Sequence, residues 1–227
     1  GTIPASIGEL SSLEELQLHH NNFSGSIPAT IGRLSSVRVL ALSHNQLTGA
    51  IPPEIGLLAS SLVALALDCN RLTGEKPDKR TMGRLTSLQD LRLHSNRLTG
   101  NVPAEFGGLG AVRVMMLGEN QLTGEVPAPV THPCGDRHGR AAALEVLDIQ
   151  KNELTSSIPA EIGDLALLRV LSLSENQISG AIPAEIGRLS FLQMLRLSRN
   201  KLTGEIPRAI AELPSLTVKQ FEENQLD

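Results

Sequence analysis

The sequence predicts an α/β repeat: a solenoid of about nine coils, with a parallel β-sheet on its concave side and short 3-10 or α turns on its convex side. Three observations predict it. The first is a recurring asparagine, at Asn21, Asn45, Asn70, Asn96, Asn120, Asn152, Asn176, Asn200 and Asn224; subtracting neighbours gives intervals of 24, 25, 26, 24, 32, 24, 24 and 24 residues. The second is a pair of apolar residues two apart just before the asparagine, such as Leu195 and Leu197 before Asn200. The third is a Gly-x-Ile/Val-Pro stretch after it, as at Gly49–Pro52, Gly100–Pro103, Gly180–Pro183 and Gly204–Pro207.

Each element has a physical reason. Leu195 and Leu197 fall on one side of a short strand while Arg196 and Ser198 fall on the other. Leu192 and Leu202 add two more apolar side chains to the same interior, which one coil cannot bury. Stacking coils about 4.8 Å apart buries them, because each strand pairs with the next copy. The asparagine stands where the chain leaves the strand. Its amide both donates and accepts, and it is expected to satisfy backbone groups orphaned by the buried turn, so that the nine copies form a ladder. Gly then permits the turn, and Pro fixes φ at the start of a helical turn whose Ile and Leu point inward.

This pattern, L-x-x-L-x-L-x-x-N-x-L followed by T/S-G-x-I-P-x-x-I/L-G-x-L, resembles the plant-type leucine-rich repeats of receptor-like kinases, receptor-like proteins and polygalacturonase-inhibiting proteins. The resemblance spans essentially all 227 residues. It implies a non-catalytic recognition module that binds a protein or peptide through the concave face, at the cell surface or outside the cell, and without a cofactor. The alternative is a scaffold segment of a cytoplasmic multidomain signalling protein built around a GTPase or kinase.

Composition agrees with such a scaffold. Apolar residues make up 41% of the chain, with no Trp or Tyr and 4 Phe. The formal charge of −4 lacks the basic footprint of a nucleic-acid or anionic-membrane surface. No apolar run approaches the roughly 20 residues of a membrane span. The 2 Cys do not make a disulfide framework. The chain is read as one solenoid over residues 1–227, beginning and ending in mid-repeat, with Ile3, Ile7 and Leu10 lining one open edge and Phe221 and Leu226 the other. Such edges favour end-to-end self-association. Lys219 stands where a core Leu belongs, so the last coil is degenerate. Extra residues fall near Ala59 and around 75–82, where Lys76 replaces a core Ile, and most of all at 128–140, read as a loop insertion rich in Pro, Gly and charge.

Function must sit where the copies differ. From Glu119 on, the residues just before the asparagines alternate in sign through Lys151, Glu175, Arg199 and Glu223, and Arg113, Glu145 and Arg169 alternate in another column. These charges are read as satisfying one another across strands. Val39, Ala64, Val114, Val146, Val170, Met194 and Val218 are read as a half-buried structural stripe. The least self-neutralised region is a small-residue patch in the early coils. There Ala41, Val63 and Ala66 are flanked by His19, His20, Arg38, His44, Asp68, Arg92 and His94, and this is the expected ligand site.

His20, His44 and Cys69 share a column, and His132, Cys134 and His138 share the 128–140 loop; both sets contain zinc-type ligands. Neither is complete in sequence, and no metal is expected. No P-loop, nucleophile elbow or H-E-x-x-H motif occurs. The threonine column Thr48, Thr73, Thr99, Thr123, Thr155 and Thr203 suggests an ice-binding face, but threonine is the repeat consensus beside the glycine turn. Asn22-Phe23-Ser24 is a glycosylation sequon, so Asn22 is a candidate glycan site.

Overall fold

The computed structural model describes residues 1–75, 83–102, 109–127 and 143–227. The insertion at 128–140, Lys76, Phe106, His132, Cys134 and His138 lie outside the described residues. The concave side is a nine-stranded parallel sheet whose strand order follows the chain. Its strands are Glu15–Gln17, Val39–Ala41, Ala64–Ala66, Asp90–Arg92, Val114–Met116, Val146–Asp148, Val170–Ser172, Met194–Arg196 and Val218–Gln220. Register stacks like on like: Leu16 pairs Leu40, Leu40 pairs Leu65, Leu65 pairs Leu91, and Leu171 pairs Leu195. These leucines, with Leu42, Leu67, Leu93, Leu117 and their equivalents, form one continuous core. The ladder ends at Lys219, which pairs Leu195 and is exposed.

The asparagines tie each coil to the one before. Asn45 Oδ1 accepts the Phe23 N–H at 2.9 Å, while its Nδ2 donates to Leu18 O at 2.9 Å and to Leu42 O and Ser43 O at 3.1 Å. Asn70, Asn96, Asn120, Asn152, Asn176, Asn200 and Asn224 likewise accept an N–H from the preceding coil. Among the described residues, the Asn21 side chain bonds only the carbonyls of Leu18 and His19, in its own coil.

Two features are not visible in the sequence pattern. The residue before every asparagine, from His20 to Glu223, lies in the left-handed region, with φ between 52° and 57°. Non-glycine residues rarely adopt it, and here it turns the chain so that the N–H groups of successive residues bond the next coil, as His44 N to Asp68 O and Asn45 N to Cys69 O. The stretches after the asparagines also form sheets. Ser24–Gly25, Gln46–Gly49, Arg71–Glu75, Arg97–Asn101, Gln121–Gly124 and Glu153–Leu154 make a lateral six-stranded sheet. Ser179–Ala181, Lys201–Gly204 and Gln225–Leu226 make a separate three-stranded one. The break falls where Ser156 takes the place of a glycine that holds φ between 75° and 87° in seven other coils. A Cβ disfavours that conformation, and Ser156 is not among the positive-φ residues.

On the convex side, 3-10 turns occupy Ala5–Glu9, Ala29–Arg33, Pro53–Leu58, Ala160–Asp164 and Ala184–Arg188, with an α turn at Arg208–Ala211. The proline sits one position earlier than expected. Pro4, Pro28, Pro159 and Pro183 are extended N-caps, with φ near −70° and ψ from 135° to 145°. At the start of the chain Ile3 is buried at 5% exposure, unlike the expected edge position, whereas Ile7 is half-buried and Leu10 is 50% exposed. Phe221 and Leu226 pack partly buried against the core.

Candidate functional site on the concave sheet

Alternation along each strand presents three residues per coil on the concave face. In the first five coils the middle position is Gln17, Ala41, Ala66, Arg92 and Met116, paired in direct register. Ala41 and Ala66 therefore lie side by side, both half-buried, as a floor of two methyl groups. His19 and His20 stand at one margin, their rings edge to face at 5.4 Å, and His20 stacks on His44 at 4.2 Å. Arg38 and Val63 lie where the strands begin and line an open groove of ≈ 510 Å³ with Ser61 and Gln89.

Two of the expected patch residues take other roles. Asp68 is not an exposed contact: it is 5% exposed and accepts the Ser43 hydroxyl at 2.8 Å. Its Oδ2 faces Nε2 of His44 at 3.8 Å and Nε2 of His94 at 3.7 Å. Burying a carboxylate is costly, so partners of this kind are what its position requires. Arg92 is not un-neutralised. Its guanidinium grips Asp90 on its own strand, with Nε to Oδ1 at 3.0 Å and Nη2 to Oδ2 at 2.8 Å. Nδ1 of His94 is buried without a hydrogen-bond partner. Residues able to hold a metal are therefore present: ligand atoms of His44, Asp68 and Cys69 lie within 4.8 Å of one another.

The later coils are polar and largely self-paired. Lys151 Nζ meets Glu119 Oε1 at 2.8 Å, and Arg199 bridges Glu175 at 3.6 Å and Glu223 at 3.0 Å. Arg113 Nε donates to Glu145 at 2.8 Å, and Arg169 approaches the same carboxylate at 3.5 Å. The Lys151 bond and the Ser95 hydroxyl hold the Glu119 carboxyl below its ordinary value. The valine stripe is half-buried throughout. A second open groove, ≈ 520 Å³, runs over this region between Gln150, Ser174, Arg196, Ser198, Gln220 and Glu222. Sequence reasoning missed it. Its signal was available: Arg196 pairs with uncharged Ser172 and Gln220 in its own column.

Burial pushes the Asp148 carboxyl above its ordinary value, against the opposing pull of the Gln150 N–H, His94, Ser172 and Arg196. A carboxyl with a raised folded-state pKa prefers its proton in the native state, so its ionised form lowers stability at neutral pH. Stability from this group rises as pH falls through the folded pKa and levels off below the unfolded value of about 3.9. Asp148→Asn is therefore expected to melt higher than the parent at pH 7, with the difference shrinking toward pH 3. Calorimetric melts across that range check it, and a difference independent of pH would refute it.

Family profiles described as leucine-rich repeat region, leucine rich repeat and leucine rich repeat match residues 138–225, 3–47 and 87–109. Among solved structures, the Arabidopsis receptor kinase HAESA ectodomain, in complex with an N-terminally extended IDA peptide hormone, superposes with a TM-score of 0.90 at 34% identity over 100% of this chain and 36% of that one. The chain is a plant-type leucine-rich-repeat protein. A TDR receptor superposes on this leucine-rich-repeat protein with a TM-score of 0.91 at 31% identity, covering 100% of this chain and 37% of that one. A plant ice-binding protein superposes at 0.79 with 28% identity, covering 100% and 69%. The chain thus spans a little over a third of the receptor structures it resembles. No curated protein matches it. No helix among the described residues is long and apolar enough to cross a membrane.

Proposed function

We propose that this leucine-rich-repeat protein is a non-catalytic recognition module that binds a protein or peptide across its concave sheet, outside the cell or at its surface. The observation that carries the reading is the in-register pair Ala41 and Ala66. In the middle outward column, where the neighbouring coils bear Gln17, Arg92 and Met116, this pair leaves a depression open to a ligand backbone, bounded by histidines on one margin and by Arg38 and Val63 at the strand starts. The resemblance to ectodomains solved with peptide hormones supports it. It also favours the extracellular reading over a cytoplasmic scaffold. Asn22, exposed beside the Ser24–Gly25 strand, supports that reading as an accessible sequon.

The immobilised protein, challenged with a displayed random-peptide library, is expected to retain peptides that Ala66→Arg releases. A long charged side chain over the two methyl groups introduces a clash and an unpaired charge against the ligand, so retention is expected to fall at least ~10-fold. Glu161→Arg, on an exposed convex turn, is expected to change nothing. Retention that survives Ala66→Arg and falls with Glu161→Arg would move the site off the concave face. The likeness to an ice-binding protein points instead to the threonine column. There Thr48 pairs Arg71, Thr73 pairs Arg97 and Thr123 pairs Glu153, a charged mixture poorly suited to a flat ice lattice.

A further inference from the structure

We propose that His44, Asp68 and Cys69 form a zinc-type metal site with an open coordination position facing the concave groove. The site goes beyond the recognition reading and stands without it. Three observations converge. The side-chain ligand atoms of these residues all lie within 4.8 Å of one another. Tetrahedral zinc takes imidazole nitrogen and carboxylate oxygen at about 2.0–2.2 Å and thiolate at about 2.3 Å, which puts neighbouring ligand atoms roughly 3.5 Å apart. His44 Nε2 and Asp68 Oδ2, at 3.8 Å, are too far apart for a good hydrogen bond and close to that ligand spacing.

The second observation is the carboxylate. Asp68 is buried, and its Oδ1 is committed to the Ser43 hydroxyl at 2.8 Å. Its Oδ2 is left facing His44 and His94, with neither imidazole near enough to bond it well. The Cys69 thiol is in hydrogen-bond contact with the same carboxylate, and a carboxylate on a side chain only 8% exposed is one a cation can take as a ligand together with that sulfur. Metal ligands are commonly oriented by just such an outer hydrogen bond as the one from Ser43. The third is preorganisation. His44 and Cys69 occupy the left-handed column of adjacent coils, with φ of 53° each. The backbone beside them is clamped, His44 N to Asp68 O at 3.0 Å and Asn45 N to Cys69 O at 3.3 Å. Ligands on rigid, paired backbone need little ordering on binding.

The donor set of one nitrogen, one oxygen and one sulfur suits zinc and excludes the all-oxygen preference of magnesium and calcium. His44 is 47% exposed in its side chain, so the fourth position opens to solvent and takes water or a ligand side chain. His94 lies 3.7 Å from the same oxygen of Asp68, outside the three-residue cluster, and is assigned as an outer neighbour of the site rather than a ligand. His20, stacked on His44, holds that imidazole from the opposite side.

The test uses cobalt(II), which reports its ligands optically, titrated into the reduced, metal-free full chain. One equivalent is expected to give tetrahedral visible bands and a thiolate-to-cobalt charge-transfer band, both abolished by zinc. Cys69→Ser is expected to remove the charge-transfer band, and His44→Gln to weaken cobalt at least ~10-fold; His94→Gln, altering an outer partner, is expected to weaken it ~10-fold or less. Cys134→Ser is expected to leave the spectrum intact. Absence of bands in the parent would overturn the proposal. So would bands that survive Cys69→Ser and vanish with Cys134→Ser, since those would place the metal on the 128–140 loop. Circular-dichroism melts of the metal-free variants confirm that each is folded, and His44→Gln serves if Cys69→Ser is not.

Discussion

Replacing Asn176 with Ala is expected to destabilise the protein by about 3 kcal/mol, the upper end of what unsatisfied buried polar groups cost. The residue is 9% exposed and its side chain makes four hydrogen bonds. Its Oδ1 accepts the Leu154 N–H at 3.1 Å, and its Nδ2 donates to Ile149 O at 3.1 Å, Leu173 O at 3.0 Å and Ser174 O at 3.3 Å. Leu154 and Ile149 belong to the preceding coil, so the substitution breaks an inter-coil tie as well as a turn. Alanine offers these groups nothing, and water has poor access to them. At roughly 2–4 °C per kcal/mol for a chain of this size, the melting temperature should fall by about 10 °C. Hydrogen exchange should localise the loss at the Leu154 amide. Asn21→Ala is the control: Asn21 is exposed and, among the described residues, its side chain bonds only carbonyls of its own coil, so its loss should cost under ~1 kcal/mol. Equal melting of the two variants would refute the inter-coil role.

Gly163→Ala is expected to cost about 3 kcal/mol through overpacking alone. A Cβ at Gly163 would sit 2.5 Å from Glu185 O, 2.8 Å from Glu185 Cβ and 2.9 Å from Glu185 C. Carbonyl oxygen and carbon are backbone, so no rotamer change relieves the contact; the convex turns of two coils must separate. The same closeness recurs at Gly8 against Thr30 O at 2.3 Å and Gly32 against Glu54 O at 2.4 Å. Gly204→Ala separates this effect from backbone conformation. Gly204 holds φ of +75°, and a methyl added there would meet nothing within 4 Å, so its substitution should cost only the left-handed penalty of roughly 1–2 kcal/mol. Denaturant midpoints of the two variants decide it. If Gly204→Ala proves the more damaging, conformation rather than coil spacing governs these glycines.

The two glycines show how far the sequence reads. The glycine of Gly-x-Ile-Pro announces itself, because turn glycines recur beside proline, and it does hold positive φ in seven coils. The glycine of Ile-Gly-x-Leu recurs as plainly, yet its reason is a carbonyl in the next coil, about twenty residues away, that no local pattern displays. The left-handed column from His20 to Glu223 was likewise invisible, since His, Cys, Ser, Glu, Lys and Arg carry no shared signal for that conformation. At the candidate site, Asp68 read as one more exposed charge. Its depth follows from Ser43 beneath its carboxylate and from His44 and His94 on either side, three residues brought together from adjacent coils.

By itself, then, the sequence determined the scaffold: the coil count, the parallel concave sheet, the leucine ladder, the asparagine tie and the alternating charges of the later coils. These are periodic, and a period can be read without coordinates, because each copy faces the same neighbours. Only the tertiary structure decided which outward residues are open, which are buried and which meet. It buried Asp68, paired the exposed Arg92 with Asp90, set Ala41 beside Ala66, and brought His44, Asp68 and Cys69 within ligand distance. The reason is physical: function here depends on where the copies differ, and the environment of a differing residue is made by side chains a coil away, at distances only stacking defines.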